Sequence, residues 1–155
     1  MFDRSHFEGL KAEQLADFHF ARFYRGLHYD VHPQFAFNPP DSEQMIRITR
    51  APKEAGDNGL KFWINAEHLD DWDGRTEFLR PYLSASEFRS ITEEEFNRAV
   101  AAQALDLIAP LQLPLHQPVG FVGGLAMHTI ETDFMVSLFA EYEDEFIHFF
   151  WETSA

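Results

Sequence analysis

The chain has 155 residues and a formal net charge of −14, from 26 carboxylates against 12 lysines and arginines, and it has no cysteine. A chain of this length fits one domain, spanning residues 1–155, that can bury about 70% of the surface it exposes when unfolded. The missing cysteine excludes disulfides, a cysteine nucleophile and thiolate metal sites. The negative field disfavours nucleic acid and anionic membrane surfaces, and no apolar run approaches the ~18 residues of a membrane span.

Residues 12–27 carry a helical pattern. Ala12, Ala16, His19, Phe20, Phe23 and Leu27 share one face, and Phe18 falls among the polar residues opposite. Three prolines make the stretch from His32 to Pro40 a loop. Residues 45–50 alternate with period two, and the aromatic run 61–65 is β-rich. The glycine, aspartate and asparagine between them predict a reversing chain and therefore a first β-hairpin.

Two capping-box spacings follow, Ser84 with Glu87 and Thr92 with Glu95. The second opens a helix expected from Glu93 to about Ile108, with Phe96, Val100, Ala104 and Leu107 as its buried stripe and Pro110 as its stop. The glycines at 120, 123 and 124 lack the lysine and hydroxyl of a phosphate loop and suit a close approach or bulge. A second hairpin ends the chain. Its alternation sets Leu138 opposite Phe149, Val136 opposite Trp151 and Phe139 opposite His148. The expected fold is α+β, with an antiparallel sheet of two β-hairpins and two main helices packed on one face.

Charge is unevenly spread. No lysine or arginine follows Arg98, while eight carboxylates do. The densest group is the final turn, with Glu141, Glu143, Asp144 and Glu145. A second acidic segment, Asp70, Asp71 and Asp73, surrounds Trp72 and suits a cationic partner through charge pairing and cation–π contact. It fails as a calcium loop, because Leu69 and Arg80 stand where defining oxygen ligands belong.

Of the eight histidines, His28 and His32 are closest, with Asp30 between them as a third metal ligand. Pro33 disfavours the helix that would bring them together, so a solvated loop is the expected state and no metal site is assigned. The segment around Met1 shows no secretory pattern, which makes the cytoplasm the expected compartment. No nucleophile elbow or cofactor fingerprint is present, and no cofactor is expected. These features point to a non-catalytic acidic module that binds a basic protein, in the manner of an immunity or antitoxin protein facing a nuclease toxin. The alternative is a metal-dependent enzyme using histidines and carboxylates.

Overall fold

The computed structural model describes residues 1–8, 24, 26–68, 87–111, 119–128 and 134–154. Their elements are α1 (Arg4–Glu8), β1 (His28–His32), β2 (Gln44–Pro52), α2 (Leu60–His68), β3 (Glu87–Ile91), α3 (Glu93–Gln103), β4 (Phe121–His128), β5 (Met135–Tyr142) and β6 (Glu145–Thr153), with short 3₁₀ turns at Gln34–Ala36 and Pro40–Ser42. The strands form one antiparallel sheet in the order β1-β2-β6-β5-β4-β3. The fold is therefore mixed α+β. No helix among the described residues is long and apolar enough to cross a membrane.

The final hairpin takes the register that its alternation predicts, with Leu138 opposite Phe149, Val136 opposite Trp151 and Phe139 opposite His148. Both strands are central, so both of their faces are covered. Phe149, Ile147, Leu138 and Ala140 pack with Phe96 and Val100 of α3. Phe139 and Phe146 meet Phe2, Phe62 and Trp63 on the side of α2. Successive strand residues point to opposite faces, so α2 and α3 lie on opposite sides of the sheet. Burying one such phenylalanine contributes about 1.5–3 kcal/mol. The rings on the α2 side interlock, with Phe62 stacked on Phe146 at 5.4 Å and Phe2 edge-on to Phe88 at 5.7 Å.

Two expectations are corrected. Residues 61–65 are helical, so the first predicted hairpin does not form and β2 pairs instead with β1 and β6. A short apolar run has no periodicity that separates strand from helix, and here the preceding residues decide. Asp57 Oδ1 accepts from the Gly59 N–H at 2.8 Å, Asn58 Oδ1 accepts from the Leu60 N–H at 3.0 Å, and Gly59 O accepts from the Trp63 N–H at 2.9 Å. Those bonds satisfy amide groups that a helix start otherwise leaves open. Glu87 likewise begins a strand instead of completing a capping box, because residues 87–91 pair along β4.

The Thr92 capping box forms as its spacing predicts, with Thr92 Oγ1 accepting from the Glu95 N–H at 3.1 Å and Glu95 Oε2 accepting from the Thr92 N–H at 2.7 Å. The helix ends at Gln103, short of Ile108, because the following segment turns back against the loop after β1. Ala36 O accepts from the Ile108 N–H at 2.9 Å, and Asp106 O accepts from the Asn38 N–H at 2.8 Å. The glycine run of β4 carries a register shift between Phe121 and Gly123. A Cβ on Gly124 would stand 2.9 Å from Ile91 Cγ1 and 3.0 Å from Phe139 O, so only glycine admits this approach. The helix expected over residues 12–27 lies outside the described residues except at its end, where Gly26 takes a φ of +75°.

Candidate functional site

The end of the sheet that holds the β5–β6 turn gathers charge from three parts of the chain. The Lys53 N–H donates to Asp144 O at 2.9 Å, which sets the β2–α2 loop beside the turn. The Glu143 N–H donates to Gly120 O at 3.0 Å, and the Tyr142 hydroxyl is hydrogen-bonded to Glu93 at the start of α3. Burial first, then the Glu93 carboxylate, push the Tyr142 phenol well above its ordinary range, so it remains a neutral donor. Glu54, Glu93, Glu143 and Asp144 are all exposed.

The four carboxylates of the final turn divide into two pairs. Glu141 and Glu145 are buried. Glu141 lies 2.9 Å from the Lys53 ammonium and 3.3 Å from the amino-terminal nitrogen, and Glu145 lies 3.6 Å from the Arg50 guanidinium. Only Glu143 and Asp144 face solvent. The division follows from the pleat, which puts Glu141 on the same face as Phe139 and Glu145 on the same face as Ile147. A buried carboxylate needs a cation, so the lysine and arginine of this end point inward. Lys61 is the exposed cation nearby, lining a cleft with Glu54, Asp57 and Tyr24. In that cleft Tyr24 donates a short hydrogen bond to Asp57. Glu94 and Glu95 of α3 pair with Arg98 at 2.5 Å and Arg89 at 3.5 Å.

A second polar group lies buried beneath α2. Glu67 Oε1 accepts from Ser137 Oγ at 2.6 Å and from His148 Nε2 at 2.9 Å, and Ser137 Oγ lies 3.1 Å from that same nitrogen. Burial pushes the Glu67 carboxyl up, but bonds from His148 and Ser137 and the charge of Arg47 outweigh it and hold its pKa below 4.5. Arg47 is also buried, donates to Ala66 O at 3.1 Å and sits 5.0 Å over the Phe150 ring. An ionised Glu67 can only accept, so the hydrogen shared between it and His148 is carried on Nε2.

Serine, histidine and glutamate together suggest a nucleophile triad, but the geometry is different. A triad histidine accepts from serine on one nitrogen and donates to the acid from the other. Here serine and acid meet one nitrogen, and Nδ1 has no hydrogen-bond partner among the described residues. The arrangement ties α2 to β5 and β6.

Of the other sequence candidates, Asp70, Asp71, Trp72 and Asp73 lie outside the described residues. His28, Asp30 and His32 stand on a strand and not in a loop, with His28 Nε2 3.7 Å from Asp30 Oδ2. Among the described residues, no three metal-binding side chains come together within the chain. The Glu67 group escaped sequence reasoning because its members are far apart in the chain. The one available signal was a histidine on a face otherwise filled by phenylalanine. No protein family, curated protein or solved structure matches the chain.

Proposed function

We propose that the chain is a non-catalytic binding module whose acidic sheet end captures a basic protein, in the manner of an immunity or antitoxin protein that neutralises a nuclease. One observation carries this reading. Arg50 and Lys53 are directed at the buried Glu145 and Glu141, which leaves Glu143 and Asp144 outward at the turn tip with Glu54 and Glu93 near them. Four outward carboxylates are thereby brought together where three loops meet. A nuclease carries positive charge to hold phosphates, and a negative surface of this kind would steer it into contact and compete with its substrate.

The test is capture of native partners on the immobilised chain, eluted by salt, beside the double variant Glu143→Lys, Asp144→Lys. A basic protein released by moderate salt, and bound at least ten-fold more weakly by the variant, is the expected result. Salt-insensitive binding, or equal binding by the variant, removes the acidic end as the contact.

A further inference from the structure

β1 is an edge strand, and among the described residues it pairs only with β2. Its five residues alternate sharply in chemistry. His28, Asp30 and His32 share the face of Arg50, Ile48 and Ile46, while Tyr29 and Val31 share the other with Thr49 and Arg47. Tyr29 and Val31 are 51% and 48% exposed, the side chains of His28 and Asp30 are 62% and 47% exposed, and His32 is half-buried. Edge strands are ordinarily blunted by lysine, an internal proline, a bulge or an inward charge. β1 has none of the first three. Its single acidic side chain, Asp30, is of a kind that a metal ion neutralises.

We propose that this edge is a zinc-dependent self-association surface, in which β1 pairs antiparallel with β1 of a second copy about Asp30 and closes metal sites that one chain leaves incomplete. This inference stands independently of the acidic-end reading. In that register His28 lies directly opposite His32 of the second copy, and His32 opposite the second copy's His28. Opposed side chains in an antiparallel pair have Cβ atoms about 4.5–5.5 Å apart, which lets two imidazoles reach one ion at about 2.0–2.1 Å. Asp30 on the diagonal supplies a carboxylate to each pair, with water completing a tetrahedral set. Within one chain His28 and His32 are about 13 Å apart along the strand, too far to share an ion. On the other face Tyr29 meets Val31 of the second copy, an aromatic and β-branched pair that favours the same register.

The same register makes association conditional on the metal. Asp30 faces its own copy, which is destabilising, and a net charge of −14 on each chain adds repulsion. A five-residue strand covers far less than the roughly 1,000 Å² that a stable interface needs. Zinc supplies both the neutralising charge and the missing attraction. Arg50 lies beside His28 on this face, and its guanidinium is held 3.6 Å from Glu145.

Sedimentation velocity of the full chain with EDTA, and with one equivalent of zinc chloride, tests the proposal. The expected result is an 18.0 kDa species in EDTA and a doubled mass in zinc. His28→Ala and His32→Ala each remain monomeric in zinc and keep the parent thermal midpoint in EDTA. Mixed together, the two variants restore dimerisation with half the zinc, because His32 of one copy and His28 of the other rebuild one site. Absence of a zinc-dependent dimer overturns the proposal. So does a dimer or larger aggregate that persists in the separate variants, or a mixture that stays monomeric.

Discussion

Beneath α2, Glu67 is sealed from solvent and meets Ser137, His148 and the charge of Arg47, whereas at the β5–β6 turn Glu143 and Asp144 stand in water with no ion pair to a described residue. Glu141 and Glu145 belong with Glu67 in this contrast, since each is buried against a cation. The comparison shows how an acidic chain divides its carboxylates. The interior ones consume nearby positive charge because an unpaired buried ion is costly, and the exterior ones are left to set the surface potential. The outward carboxylates of the β5–β6 turn are thus a consequence of packing as much as of composition.

The sharpest way to break the contrast is to strip the interior. His148→Ala removes a hydrogen-bond donor from an ionised buried carboxylate and should cost about 3–5 kcal/mol in urea unfolding. A loss below about 1 kcal/mol would mean that Glu67 is neutral or hydrated. The same site predicts an acid dependence. The native Glu67 carboxyl titrates below its ordinary 4.5, so its contribution to stability is fully present above 4.5 and is lost as pH falls through the lowered native value. Urea midpoints between pH 3 and 6, set beside those of Glu67→Gln, isolate this effect from the exposed Asp3, whose carboxyl is lowered to about 2 mainly by its bond from Ser5. A variant with the same acid slope as the parent would contradict the assignment.

Lys53→Met should be milder, because Glu141 keeps the amino terminus as a second cation. We expect a loss of about 1–3 kcal/mol, measured the same way. The exterior should behave oppositely. Glu143→Lys with Asp144→Lys changes four units of charge yet should alter stability by no more than about 0.5 kcal/mol, since neither side chain holds the fold together. A cost above about 2 kcal/mol would show that the turn carboxylates are structural.

Much of the architecture was legible where one local rule had no competitor. The final hairpin was readable because strict alternation leaves a single register that buries both apolar sets, and the start of α3 because Thr92 and Glu95 carry their capping partners three residues apart. Residues 61–65 were not, because an uninterrupted apolar run fits either element and the capping by Asp57 and Asn58 was read as a strand turn. The candidate site was half legible. Alternation along β5 already groups Glu141 with Phe139, but its cation lies on β2's far loop and no sequence rule brings Lys53 to it. The link between Glu67 and His148 spans 81 positions and depends on α2 crossing the sheet, which only the assembled fold supplies.

The central claim is that outward carboxylates converge on one end of the sheet. Amide shift mapping of the labelled chain, titrated with a lysine-rich peptide at low salt, addresses it directly. Perturbations confined to residues 53–57, 93–95, 119–121 and 142–145, and erased by the turn charge reversal, are what the account predicts. Shifts scattered evenly over the strands and helices, unchanged by that reversal, would contradict it.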